Sequence, residues 1–239
     1  MIPARHTWFH VRFFLWYTRI RLKRNFSAIK VHSPIPDVSD KPLLVIGNHF
    51  SWWDGFWILW LNDRYLHKKF HVMMLEEQLK KNGILNKTGA FSIRRGSRDA
   101  VESLKYARKI LEDGSAESGR TDGSAPTARQ LPMVLMYPQG EIQSMHTRPV
   151  KFEKGLENIT RGLEGKINIL MVVILIDYFS NQKPELHFYL ELYPFTQQLV
   201  THNLEAAYND FLTRSLSKQA ANRKSSIVNR KSSIVNRQS

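Results

Sequence analysis

His49 and Asp54 stand five positions apart in the run Gly47–Asn48–His49–Phe50–Ser51–Trp52–Trp53–Asp54. An imidazole within reach of a carboxylate suits general-base chemistry. The carboxylate bonds one ring nitrogen and fixes the tautomer, and the other nitrogen remains free to take a proton. The spacing carries this meaning only if the backbone turns between the two residues. Pro42 to Gly47 is a short apolar stretch suited to a strand, and Ser51 to Asn62 suits a helix with Ser51 as its N-cap. His49 would then sit at a strand's carboxyl end, where open α/β sheets place their sites, and Asp54 in the first helical turn. Phe56 to Trp60 would wall one side. A His and an Asp at this spacing are more often a surface imidazole beside an unrelated helix-start acid. The strand-to-helix junction and the apolar wall favour the chemical reading.

The rest of the chain supplies elements that could hold such a junction. Phe70–Leu75, a turn and strand at Gly89–Arg95, Leu131–Tyr137, Ile167–Tyr178 and Glu185–Tyr193 read as strands. Helices are predicted over residues 5–24, Ser97–Asp113 (capped by Ser97, stopped at Gly114), Phe152–Gly165 and Thr201–Gln219. Strands alternating with helices predict an α/β fold: one layered domain with a central, mostly parallel sheet flanked by helices. With 239 residues, 42% of them hydrophobic, one real core is affordable. The predicted division is a basic aromatic helix over 1–30, the main domain over 31–220 with a flexible insertion at 114–130, and a tail over 221–239. That tail repeats itself, since Asn222–Val228 and Asn229–Val235 are identical, and two heptads are too short for a coiled coil, so disorder is expected.

Charge and cysteine content narrow the partners. The absence of cysteine excludes disulfides and thiolate metal sites. The net charge is +14, yet residues 1–30 and 222–239 carry twelve basic residues and no acid, which leaves +2 for the middle. Basic ends on a nearly neutral body seek an anionic surface. In the first helix Arg5, Arg12, Arg19 and Lys23 form one stripe, and Trp8, Phe9, Phe14 and Trp16 lie on the remaining faces. Such a helix suits the headgroup region of a bilayer, so the N-terminal helix is read as amphipathic and membrane-proximal. No run of 18 apolar residues is present, and Arg12 and Arg19 interrupt the N-terminal apolar run. A peripheral or monotopic protein on the cytoplasmic face of a membrane is therefore expected, with neither a spanning helix nor a signal peptide.

At this point the ordered motifs resemble the glycerolipid acyltransferases, the lysophosphatidate (1-acylglycerol-3-phosphate) acyltransferase family. Asn48 to Asp54 is similar to the family's His-x4-Asp block, Gly89 to Arg95 to its second block, and Tyr137–Pro138–Gln139–Gly140 to its third, with Phe152–Glu153–Lys154–Gly155 downstream. Met171–Ile176 matches the fourth block loosely. The resemblance implies transfer of a fatty acyl group from acyl-CoA or acyl carrier protein to a lysolipid hydroxyl, with no further cofactor. It makes His49 the general base, Asp54 its orienting carboxylate, and Arg95 a ligand for an anionic group on the acceptor. Ser51, Pro138, Gln139, Gly140 and Glu141 join the substrate-binding set, the turn at 138–140 by offering backbone N–H groups to that anion. The chain departs from the pattern at Gln139, where the family has Glu, with Glu141 two residues on as a substitute. Arg94 stands where an acid is usual, and the fourth block lacks its proline. The departures gather in the acceptor-binding parts, so acyl transfer is implied more firmly than the acceptor.

Three other readings have less support. A membrane-bound pseudoenzyme or lipid-binding protein would explain Gln139. A nucleic-acid-binding protein would explain the charge, but the basic residues lie at the ends and the aromatics cluster with aliphatics. His67 and His71 could share a metal, but no third ligand lies near them, so no metal is expected. Oligomeric state is not legible.

Overall fold

The computed structural model describes residues 1–96, 99–118 and 130–235, with side chains described for all of these except 116–118 and 222–235. The elements in chain order are α1 (Trp8–Asn25), β1 (Ala28–Val31), β2 (Leu43–Gly47), α2 (Asp54–Leu61), β3 (Lys69–Leu75), α3 (Glu76–Lys81), β4 (Ala90–Ile93), α4 (Asp99–Ser118), β5 (Pro132–Met136), α5 (Leu156–Thr160), β6 (Asn168–Asp177), β7 (Glu185–Tyr193) and α6 (Thr201–Val235). The seven strands form one sheet in the order β1-β7-β6-β2-β5-β3-β4. Every neighbouring pair is parallel except β6 and β7. The predicted α/β architecture, with a mostly parallel sheet between helices, is the observed one.

The sheet's centre explains why β2, β5 and β6 are nearly unbroken apolar runs: both faces are covered, so alternation is not needed. Successive residues of β2 serve opposite layers. Leu43 and Val45 pack toward Phe14 and Leu22 of α1 and Trp57 and Leu61 of α2. Leu44 and Ile46 pack toward Leu104 and Leu111 of α4, Ile159 of α5, and Tyr208 and Leu212 of α6. The catalytic candidate thus follows the best-buried strand in the molecule, a rigid base for a precise turn.

Several boundaries differ from the sequence expectations. Residues 1–30 are not a separate unit. β1 crosses the expected boundary and pairs with β7, and the segment before α1 bonds along β4 and its approach, through Ser92 N–H to Ile2 O at 3.0 Å and Thr7 N–H to Lys87 O at 3.0 Å. The helix expected over Phe152–Gly165 is only the single turn α5, because Gly155, Gly162 and Gly165 all take positive φ. Gly114 does not stop α4. A β-carbon there would lie 2.4 Å from Pro132, so the glycine permits close helix-to-strand packing inside the helix. The expected cap, Ser97, and most of the expected insertion lie outside the described residues. The tail expected to be disordered instead extends α6 to Val235, a stretch without glycine or proline from Thr201 onward. α3 was not anticipated, because six residues are too few for a visible period.

α1 buries a narrow seam of Phe14, Thr18 and Leu22. Phe14 stacks on Phe56, and Tyr17 and Arg21 lie over Trp53. The opposite side is open, with Trp8 75% exposed, Phe9 66% and Trp16 57%. Its aromatic residues therefore sit beside Arg12, Arg19 and Lys23 on the exposed side, where a simple polar-against-apolar division of the helix would not put them. Among the described residues, no helix is long and apolar enough to cross a membrane.

Candidate active site

β2 ends at Gly47, and the next residue anchors the turn. Asn48 is buried and bonds the backbone of β6 twice, donating from Nδ2 to Ile174 O at 2.8 Å and accepting Ile174 N–H on Oδ1 at 2.8 Å. His49 is gripped through its own backbone. Its N–H donates to Gln139 Oε1 at 2.6 Å, and its carbonyl accepts Gln143 N–H at 2.9 Å. The loop after β5 thereby clamps the residue that carries the imidazole.

The side chains then meet as the spacing suggested. His49 Nδ1 lies 3.0 Å from Asp54 Oδ2, and the same oxygen accepts the N–H groups of Phe50 at 2.8 Å and Ser51 at 2.9 Å. Asp54 is fully buried. Burial pushes its pKa up, and the bonds from His49, Ser51 and Phe50 work against that rise. An Nδ1–H donating to this carboxylate leaves Nε2 without a proton, and Nε2 makes no hydrogen bond among the described residues. The imidazole stacks on Tyr137, centroids 4.2 Å apart and planes 11° apart, which limits ring rotation. Burial drives the Tyr137 phenol well above its ordinary pKa and keeps it neutral.

The helix begins at Asp54 and not at Ser51. Asp54 draws the Phe50 and Ser51 N–H groups inward, and the Ser51 hydroxyl accepts Trp53 N–H at 3.1 Å. Ser51 therefore shapes the turn, and its hydroxyl does not cap α2.

His49 lies on the wall of a cavity of about 460 Å³, which runs beneath α2 and over β3 and β4. Trp52, Phe56, Leu59, Phe70, Val72, Met74, Ala90 and Ile93 make it largely apolar. Its charged lining residues are Arg95, Glu141, Glu153 and Lys154. Arg95 Nη2 donates to Glu153 Oε1 at 2.7 Å, and Nη1 lies 4.0 Å from Glu141 Oε2. Gly140 adopts φ +71°, and a β-carbon there would come within 3.2 Å of the Arg95 guanidinium and of Glu153. Only glycine lets these two side chains cross the turn so closely.

The expected acceptor-binding residues therefore divide. Arg95, Pro138, Gly140 and Glu141 line the cavity together with His49, whereas Gln139 and Ser51 do not. Gln139 is buried against the His49 backbone and donates from Nε2 to Gln143 Oε1 at 2.9 Å. The turn at 138–140 offers less to an anion than expected, since Gly140 N–H closes on Tyr137 O at 3.0 Å. Arg94 is engaged elsewhere, with Glu76 at 2.8 Å and Asp99 at 2.9 Å, and bonds from Lys80 and Arg94 hold the Glu76 pKa down to about 2. His71 points into the core beside His6 and Met133 O, and burial lowers its pKa to about 4, while His67 is exposed in a left-handed turn. Asn48, Tyr137 and Gln143 were missed as supporting residues. Asn48 could have been suspected from its place before His49, but the contact of Gln143 with His49 spans ninety-four positions and leaves no local trace.

Comparison with known proteins points the same way. A family model described as Acyltransferase matches residues 23–177. A search of curated proteins finds no match. Among solved structures, the crystal structure of the 1-acyl-sn-glycerophosphate (LPA) acyltransferase PlsC from Thermotoga maritima is similar in fold. Its TM-score is 0.56 at 14% identity, over 88% of this chain and 80% of that one. The family match takes in more than half of the sequence, from the last turn of α1 to the end of β6, and this chain belongs to the Acyltransferase family.

Proposed function

We propose that the chain moves a fatty acyl group from an acyl thioester, acyl-CoA or acyl carrier protein, to the hydroxyl of a lysophospholipid-type acceptor at a membrane surface. The observation that carries this reading is the His49–Asp54 pair, buried at its carboxylate end, with His49 on the wall of a largely apolar cavity. Nε2 takes the proton of the acceptor hydroxyl as its oxygen attacks the thioester carbonyl. The tetrahedral intermediate collapses, the carbon–sulfur bond breaks, and the departing thiolate receives the proton from the imidazolium. Asp54 stabilises that imidazolium in a site where low dielectric strengthens the attraction. The apolar lining suits an acyl chain, and no cofactor is called for. Gln139 supports turnover here, because its amide bonds the His49 backbone and leaves the proton path untouched.

Docking would use the open side of α1, where Trp8, Phe9 and Trp16 stand beside basic residues, on the cytoplasmic leaflet of a membrane. Replacing Trp8, Phe9 and Trp16 by Ser should abolish pelleting with phosphatidylglycerol vesicles, and unchanged pelleting would remove this anchor. The reaction itself is tested with radiolabelled acyl-CoA and acyl carrier protein, a panel of lysolipids in detergent, and His49→Ala in parallel. A labelled diacyl product from the wild type alone is expected. Equal product from His49→Ala would overturn the mechanism.

A further inference from the structure

The charged rim of the cavity points to the chemistry of the acceptor. Arg95, Glu141, Glu153 and Lys154 sum to zero formal charge, and two carboxylates flank the one guanidinium. Glu141 is positioned from within the molecule. A chain of amides runs outward from the catalytic loop: His49 N–H bonds Gln139 Oε1, Gln139 Nε2 bonds Gln143 Oε1, and Gln143 Nε2 bonds Glu141 Oε1 at 3.3 Å. The Glu141 carboxylate is thus held 4.0 Å from Arg95, on the side opposite the strong Glu153 contact at 2.7 Å. The position beside His49 carries an uncharged amide, and the negative charge stands two residues further on, at the rim.

This arrangement discriminates by charge. A phosphate monoester, with a charge of about −1.5 to −2 near neutral pH, would have to displace Glu153 from Arg95, and its charge would leave the otherwise neutral rim of Arg95, Lys154, Glu141 and Glu153 net negative. A headgroup that carries both an anionic oxygen and an ammonium exchanges partners in kind. Its anion takes the guanidinium, and its ammonium takes the carboxylate that the guanidinium released. No charge is left uncompensated, and each new contact is a charge-assisted hydrogen bond.

Resting on the acyltransferase reading above, we propose that Glu141 and Glu153 are specificity-determining residues and that the acceptor is zwitterionic, with its anion on Arg95 and its ammonium on the two carboxylates. Two kinds of lipid carry this chemistry: a lysophospholipid with an ethanolamine headgroup, and a hydroxyacyl lipid of a diamino acid with a free carboxylate and amine.

The test uses the full chain in detergent with labelled acyl thioester. The acceptors, matched in chain length, are lysophosphatidylethanolamine, its N-acetylated form, a hydroxyacyl diamino-acid lipid and lysophosphatidate. At least one amine-bearing acceptor should exceed lysophosphatidate in kcat/KM by about tenfold or more, the ratio one charge-assisted hydrogen bond supports. The better amine-bearing arm names the source. N-acetylation should cost lysophosphatidylethanolamine a similar factor, and Glu141→Gln with Glu153→Gln should erase both differences. Lysophosphatidate used as well as the amines, or a preference that survives the double substitution, overturns the proposal. Binding of the same labelled lysolipids to His49→Ala, below their micelle concentrations, separates the two readings. A preference for the ammonium in His49→Ala, with no transfer by the wild type, would sink the acyltransferase reading and keep this one, and transfer by the wild type without a preference would sink this one alone.

Discussion

The two ends of the cavity are built on different physical terms. At the inner end Asp54 has no exposed surface, and its Oδ2 holds three donors within 3.0 Å. At the outer end the side chains of Arg95, Glu141 and Glu153 are 42%, 60% and 59% exposed, and their contacts are ion pairs that water can replace. Electrostatic interactions strengthen as water is excluded, so the inner end tolerates little change. The outer end can exchange partners at small cost. On the proposed reading, the proton chemistry belongs to the fixed end and the choice of acceptor to the adjustable one.

The largest expected effect lies at the inner end. His49→Ala should lower kcat by about 10²- to 10⁴-fold, the range for a positioned general base, while the melting temperature stays close to wild type. Asp54→Asn should approach that loss, because the amide cannot stabilise the imidazolium. A single-turnover assay that found either variant within a few-fold of wild type would break the assignment of chemistry to this end.

Next comes the support beneath it. Asn48→Ala leaves Ile174 N–H and O in the buried sheet without their partners, which should cost about 2–6 kcal/mol in a urea titration, at about 1–3 for each orphaned group. A cost near zero would mean that the turn does not depend on this anchor.

Acid sharpens the same contrast. Burial holds the His71 pKa at about 4 in the folded chain, against about 6.5 when unfolded, so the unfolded chain binds the extra proton between those values. Stability from this residue is intact above pH 6.5 and is lost as pH falls toward 4. Between pH 7 and 5 the loss should be about 2 kcal/mol from the linkage relation. His71→Leu should reduce the slope, with His187, which burial also holds at about 4, supplying a further part, and Arg95→Ala should leave it unchanged. An identical slope in His71→Leu would show that another group sets the acid sensitivity. The smallest effect belongs to the rim: Arg95→Ala should raise the acceptor KM by about tenfold and change stability by less than about 1 kcal/mol. A collapse of kcat instead would mean that Arg95 belongs to the inner end.

Much of the inner pair was legible because it is local. A strand, a turn and a helix start lie within a dozen residues, and the hydrophobic period marks each of them. Gln139 shows the limit. Its sequence neighbours made it a ligand for the acceptor, while the fold turned it inward to the His49 backbone, because β5 lies beside β2 and brings the following loop across the catalytic turn. The single turn of α5 was obscured for a related reason. Phe152 to Gly165 has the composition of a helix, and the backbone conformation of its glycines decided otherwise.

The sequence by itself determined the alternation of strands and helices, the nearly neutral body with basic ends, and the His49–Asp54 spacing, all of which depend on neighbours along the chain. The tertiary structure alone decided which polar groups meet across ninety residues or more, namely Asn48 with Ile174, His49 with Gln139 and Gln143, and the extent of the cavity they border. Those contacts depend on strand order, and strand order is set by how whole faces of the sheet bury against the helices, which no short window of sequence contains.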